Sequence, residues 1–204
     1  MWLALFLLLS IGMKRIAIID DEPSARLVLK GLVEDAGHKV VAEGENGVDA
    51  VNACRQTSPD LVIMDVRMPV KDGIEAAMEI TRFFPAPIML LTASDDEETI
   101  MRAVAAGAMA YLVKPVRAED LVPAIEFACA RYNELKDLRE ENIGLKTALD
   151  SRKVVEKAKG LLMEKERLTE NEAFARLRKI SMDKRKSMAE IAEVIILALD
   201  NEKR

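Results

Sequence analysis

The sequence predicts an α/β protein. A five-stranded parallel, doubly wound sheet comes first, then a coiled-coil linker helix and a small three-helix bundle. Three observations predict this. Short apolar runs alternate with amphipathic stretches from Lys14 to about Tyr132, which is the signature of βα units around a buried parallel sheet. A seven-residue rhythm of leucines then takes over. Beyond Ser151 the chain turns basic and shows start signals for three further helices.

The strands are expected at 15–20 ("RIAIID"), 39–44 ("KVVAEG"), 60–65 ("DLVIMD"), 87–92 ("PIMLLT") and 109–114 ("MAYLVK"). Each is short, apolar and bounded by Gly, Pro or Asp, as a strand buried on both faces should be. Helical periodicity falls between them near 24–36, 46–57, 72–83 and 95–106, and a fifth helix starts near 118. In such a sheet, ligands bind beyond the carboxyl ends of the strands. Asp20 and Asp21, Asp65, Thr92 and Lys114 stand at four of those ends.

The fifth helix has no obvious end. Leu135, Leu138, Asn142, Leu145 and Leu149 fall in successive a and d positions, and Leu121, Ala124 and Ala128 fit the same register. The pattern predicts a short coiled coil, with Asn142 at an a position favouring a parallel, in-register dimer. The alternative is one amphipathic helix packed on its own domain, and Gly144 weakens the heptads. Ser151 is a plausible cap, followed by helices over 152–166, 170–182 and 187–200. Thr169 with Glu172, and Ser187 with Glu190, have the spacing of capping boxes. Val155, Ala158, Leu162, Phe174, Leu177, Ile180, Ile191, Val194, Ile195 and Ala198 are the expected core of this bundle.

Composition bounds the chemistry. With two cysteines and one histidine, a Cys/His metal site cannot be assembled, and a Ser-His or Cys-His couple is not expected. His38, in "AGHKV", reads as a surface turn residue. Cys54 and Cys129 read as buried apolar residues of a reduced, cytoplasmic protein. The net charge of −5 is uneven, because residues 151–204 carry 14 Lys/Arg against 10 Asp/Glu. A basic tail on an acidic body suggests a polyanionic partner. The apolar start, residues 1–12, is too short to cross a bilayer and lacks the basic front of a secretion signal. We read it as an extension ahead of a natural start at Met13, with a membrane anchor as the alternative. No membrane partner is expected.

The acidic residues define the first candidate site. Asp20, Asp21 and Asp65 would converge if the sheet is wound as described. Three carboxylates together repel one another unless a cation sits among them, and carboxylates with waters suit Mg²⁺. The hydroxyl of Thr92 and the ammonium of Lys114 suit a phosphoryl group, whose oxygens need donors. "IIDDEPSAR", "DLVIMDVRMPVKDG", "LLTAS" and "YLVKP" resemble the receiver domain of bacterial two-component response regulators, a flavodoxin-like fold. The resemblance implies a receiver over residues 13–120 and a linker helix over 121–150. It implies that Asp65 accepts a phosphoryl group from a partner sensor histidine kinase. Asp20, Asp21, Asp65 and the backbone carbonyl of Arg67 would hold Mg²⁺. Thr92 and Lys114 would bind the phosphoryl group, Tyr111 would be the aromatic switch that follows Thr92 inward, and the Lys114-Pro115 bond would be cis. The implied catalysis is limited to the domain's own phosphoryl transfer and dephosphorylation, so the protein is not expected to be an enzyme.

The tail, residues 151–204, carries "AKGLLM", "EAFARLRKISM" and "MAEIAEVI". These resemble the ANTAR domain, a three-helix RNA-binding module of transcription antiterminators, with Ser181 where alanine is more usual. The resemblance implies recognition of paired stem-loops in leader RNA, which prevents termination. We expect phosphorylation of Asp65 to favour a homodimer that aligns two tail domains with two hairpins. The expected RNA-facing residues are Lys153, Lys157, Lys159 and Gly160 on the first helix. Arg178, Lys179, Lys184, Arg185 and Lys186, at the end of the second helix and in the connection after it, complete the set. Gly160 either lets RNA backbone approach or lets two helices pack closely. Phe174 is the tail's one aromatic residue, so base stacking on aromatic rings is not expected. A DNA-binding transcriptional regulator is the main alternative. Against it, the connection between the last two helices is long and charged rather than a tight turn. A protein-interaction output without nucleic acid is a third reading.

Overall fold

A computed structural model of the chain describes residues 12–93 and 97–200. The expectations for residues 1–11 therefore lie outside the described residues. The elements in order are β1 (Arg15–Ile19), α1 (Pro23–Asp35), β2 (Lys39–Gly44), α2 (Gly47–Thr57), β3 (Leu61–Asp65) and α3 (Gly73–Phe83). They continue with β4 (Ile88–Thr92), α4 (Glu97–Ala105), β5 (Ala110–Val113), α5 (Ala118–Glu166), α6 (Glu170–Lys184) and α7 (Met188–Asp200). The chain divides into two compact units, Met1–Lys136 and Asp137–Arg204.

In the first unit five parallel strands lie in the order β2-β1-β3-β4-β5. Alternate residues of each strand point to opposite faces. Ala17 and Ile19 pack under α2, α3 and α4, with Ala50, Ile74 and Ile80. Ile16 and Ile18 pack under α1 and α5, with Leu29, Val33, Leu121 and Ile125. Both faces are thus dry, which is why the strand sequences are apolar throughout. The order of strands reverses at β1, so the carboxyl ends of β1 and β3 flank the crevice where such sheets place a site.

His38 is buried, and the surface-turn reading is corrected. The cause is the end of α1. Gly37 takes φ +83°, its N–H donates to Glu34 O at 2.9 Å, and the His38 N–H donates to Val33 O at 3.1 Å. This is a Schellman ending, whose second residue beyond the cap turns back onto the helix. The imidazole is thereby buried, and its Nδ1 accepts the Lys14 N–H at 3.4 Å. Cys54 and Cys129 are buried, and burial pushes both thiols up to about 11.

α5 is one helix of 49 residues. It runs through Ser151, which is mid-helix rather than a cap. No Pro follows within the helix to break it, Gly160 is accommodated in its interior, and "ALDSRKVVEK" is rich in helix formers. Leu121 and Ala128 are fully buried against the first unit's sheet and Ala124 is half-buried there. These residues belong to that core, not to a coiled-coil seam. Tyr132 also donates its hydroxyl to Pro85 O at 2.8 Å.

The second unit packs the end of α5 with α6 and α7. The connection between the last two helices is a short turn over 185–187 rather than the long one expected, because α6 continues to Lys184. Its core is Ala158, Leu162, Ala173, Leu177, Ile191 and Ala192, with Val155, Ile180 and Ile195 partly buried. Both capping boxes are present: Thr169 with Glu172, and Ser187 with Glu190. Phe174, Val194 and Ala198 are exposed, contrary to expectation. In α6 the inward positions are Ala173 and Leu177, one turn apart, which leaves Phe174 about 100° round the helix. In α7 almost every residue is apolar, so its periodicity alone fits several faces. Packing selects 191, 192, 195 and 196.

Burial lowers the pKa of His38 below its ordinary 6.5. Lys14 adds to this effect and Glu126 opposes it. The native state therefore binds this proton less readily than the unfolded chain does, so the neutral imidazole's stabilisation is complete above 6.5 and lost as pH falls below it. His38→Gln should flatten the fall of Tm between pH 7 and 5 relative to wild type, as measured by thermal melts across that range. An equally steep fall in the variant would place the acid sensitivity elsewhere.

Candidate functional site

The sheet brings the acidic residues together. Asp20 follows the last residue of β1, and Asp65 is the last residue of β3. One carboxylate oxygen from each of Asp20, Asp21 and Asp65 lies within 4.8 Å of the others. Asp20 and Asp65 are buried, while Asp21 is exposed. Lys114 reaches across from the end of β5. Its Nζ donates to Asp20 Oδ2 at 2.7 Å and to Asp65 Oδ2 at 2.5 Å. Burial opposes the charge on this ammonium, but its hydrogen bonds to Asp20 and Asp65 outweigh that and hold its pKa above the ordinary lysine value.

The backbone fixes these groups. The Lys114 N–H donates to Thr92 O at 2.8 Å, so residues 92 and 114 are set side by side, and the Lys114-Pro115 peptide is cis. The Glu22 N–H donates to Asp20 Oδ1 at 3.0 Å, and the Arg67 N–H donates to Asp65 Oδ1 at 3.2 Å. Gly73 closes the loop after β3. Its N–H donates to Val66 O at 2.8 Å, and a Cβ on it would stand 2.0 Å from the Asp65 carbonyl oxygen. No side chain fits there without moving the backbone of Asp65. That signal was legible as "KDG" but cannot be interpreted without the loop's path.

Three carboxylates face one ammonium, which leaves an excess of negative charge in a partly buried pocket. All-oxygen ligation with room for water fits a hard divalent cation such as Mg²⁺. Thr92 is buried at the end of β4. Tyr111 lies on β5 and is 44% exposed, so its ring is at the surface rather than turned inward.

Comparison with known proteins agrees with this geometry. The response regulator receiver domain matches residues 16–126, and the ANTAR domain matches residues 144–196. The chain is a response regulator of the receiver–ANTAR family. It is 44% identical over 190 residues to the transcriptional regulatory protein PdtaR of Mycobacterium tuberculosis, covering 93% of each chain. It is 40% identical over 112 residues to the chemotaxis protein CheY of Bacillus subtilis, covering 54% of this chain and 93% of that one. The signal receiver domain of the putative response regulator NarL from M. tuberculosis superposes with a TM-score of 0.55 at 27% identity. That match covers 58% of this chain and 97% of the other.

In the ANTAR domain of this response regulator, the expected RNA-facing cations separate into two groups. Lys159 is buried. Its Nζ is held by Glu156 and by Glu170 in the first turn of α6, each at 2.7 Å, and hydrogen bonds to those two carboxylates raise its pKa. It ties α5 to α6 and does not face outward. Lys153 is exposed and pairs with Asp150 at 3.5 Å, and Lys186 pairs with Glu190 at 3.7 Å. Lys157 is exposed. Arg178, Lys179, Lys184 and Arg185 are exposed and have no acidic partner among the described residues. Gly160 is exposed, and a Cβ there would meet nothing within 4 Å. Close helix packing therefore does not explain it, and its face is open to a partner. Among the described residues no helix is long and apolar enough to cross a membrane.

Millimolar Mg²⁺ should raise the Tm of the wild-type protein by about 3 °C or more, since any ligand of the native state stabilises it. Asp20→Asn and Asp65→Asn should each lose most of that rise in a melt with and without the ion. An undiminished rise in both variants would move the ion off this pocket.

Proposed function

We propose that this response regulator is a phosphorylation-controlled, RNA-binding antiterminator. Asp65 accepts a phosphoryl group from a sensor histidine kinase. The observation that carries this reading is the Asp65 carboxylate at a strand end, 2.5 Å from Lys114 and clustered with Asp20 and Asp21. Asp65 is the nucleophile, positioned by the Arg67 N–H and by the loop that Gly73 closes. Lys114 pairs with the phosphorylated carboxylate, and the Thr92 hydroxyl donates to a phosphoryl oxygen. Asp20, Asp21, Asp65 and the Arg67 carbonyl would hold Mg²⁺, which when bound offsets the charge of the transferring group. This self-directed chemistry is the chain's only catalysis in our reading, and its purpose is signalling.

Phosphorylation favours a homodimer through Leu135, Leu138, Asn142, Leu145 and Leu149. Leu138, Leu145 and Leu149 are exposed along α5, which suits a seam awaiting a partner. Two linked tail domains then engage two stem-loops, and linkage raises the effective concentration of the second contact. The phosphate grip centres on Arg178, Lys179, Lys184 and Arg185, where helix-end cations and a basic turn form one patch. The exposed face around Gly160 and Lys157 can take a backbone close to α5.

The test compares a two-hairpin RNA with duplex DNA, with and without prior treatment of the protein with acetyl phosphate. RNA affinity should rise on treatment, and Asp65→Asn should abolish the rise. Equal affinity before and after treatment would defeat the switch, and preference for duplex DNA would favour a DNA-binding regulator. Arg185→Ala should reduce the salt slope of RNA binding by about 0.7 per lost phosphate contact. Lys159→Ala should leave that slope unchanged and lower the Tm of the tail domain. A reduced slope for Lys159→Ala would return that residue to the contact surface.

A further inference from the structure

We infer that α5 carries a charge code that selects a second copy of this chain, parallel and in register. The code is Glu134, Arg139, Glu141 and Lys146. It rests on the dimer proposed above and names what specifies that dimer.

From residue 136 to residue 150 every side chain of α5 is exposed. Helices in folded proteins owe most of their stability to a packed face, and this stretch has none among the described residues of its own chain. Leu138 is 55%, Leu145 61% and Leu149 59% exposed. An uncovered stripe of this kind needs an occupant, and its flanking charges say which. With Leu135, Asn142 and Leu149 at a and Leu138 and Leu145 at d, Glu134 and Glu141 fall at g. Arg139 and Lys146 fall at e.

In a parallel pair, each g residue meets the e residue five positions later on the other helix. Glu134 then faces Arg139 of the second copy, and Glu141 faces Lys146 of the second copy. Both contacts attract, and two-fold symmetry repeats each. An antiparallel pair instead sets e against e and g against g, so cation meets cation and carboxylate meets carboxylate. Asn142 at an a position favours the same parallel register. Arg139, Glu141 and Lys146 have no ion-pair partner among the described residues of their own chain. Glu134 pairs only with Arg131, on the exposed surface at 2.9 Å. Gly144 falls at c, on the outer face, so it leaves the seam intact. Upstream the stripe is already used: Leu121 and Ala128 are buried on the sheet, and the d position between Ala128 and Leu135 is Arg131. The code therefore acts over roughly the two heptads from Leu135 to Leu149.

The experiment uses full-length protein treated with acetyl phosphate and reads dimerisation by analytical ultracentrifugation. One variant is Glu134→Lys with Glu141→Lys, and the other is Arg139→Glu with Lys146→Glu. Each alone should dimerise at least about tenfold more weakly than wild type, because attraction at four exposed contacts becomes repulsion. An equimolar mixture of the two should recover dimerisation, since a cation then meets a carboxylate at every g–e contact. A Leu149→Cys protein should cross-link to itself on oxidation. In an antiparallel pair the two residues 149 would lie on the order of 20 Å apart, too far to bridge. Wild type that dimerises alongside variants that dimerise equally well alone, or a mixture no better than its components, overturns the code while leaving the dimer. A wild-type protein that stays monomeric after treatment overturns the dimer reading and the code together.

Discussion

The site in the first unit depends on a single ammonium group. Lys114 donates to two carboxylates that are 94 and 49 residues away in the chain. Asp20 is almost wholly buried, and a buried carboxylate is tolerated only when paired or hydrogen-bonded. That pairing exists because β5 lies beside β4, β4 beside β3, and β3 beside β1. The parallel sheet puts every strand's carboxyl end on one rim. Its order places Asp20 and Asp65 on neighbouring strands at the crevice, and the lysine reaches back to both from β5, two strands beyond β3. The charge balance remains negative even so, with three carboxylates against one cation. This imbalance makes the pocket receptive to a divalent ion.

The long helix uses one stripe for two purposes. Near its start, Leu121 and Ala128 are sealed against the sheet. Past Tyr132 the same heptad register continues, and from residue 136 to residue 150 it is exposed among the described residues. The receiver's core and the proposed seam are thus successive parts of one periodic pattern, separated by Arg131 at a position where an apolar residue would otherwise sit.

In the tail domain, cations divide by their neighbours. Lys159 lies within reach of Glu156 and Glu170 and joins two helices. Arg178, Lys179, Lys184 and Arg185 gather where α6 ends, near its negative pole, which is where a helix favours positive charge. Gly160, within the row of lysines on α5, is exposed with open space before it. A glycine in a helix interior costs about 1 kcal/mol. Among the described residues no packing at this position offsets that cost.

Much of this was legible along the chain. The five strands appear within a residue or so of where apolar runs between Gly, Pro and Asp put them. Both capping boxes were visible as Thr169/Glu172 and Ser187/Glu190, because caps are made by residues three apart. The convergence of Asp20, Asp65, Thr92 and Lys114 followed from their common place at strand ends. The sequence by itself determined these features because each arises from neighbours on the chain or from the periodicity of one element. Only the tertiary structure decided that His38 turns inward, that α5 continues through Ser151, and that Phe174, Val194 and Ala198 stay outside while Ala173 and Ala192 go in. It also decided that Lys159 is spent on two glutamates. Each of these is a choice among several faces or partners that the local pattern permits equally, and the choice is made by what another part of the chain packs against it.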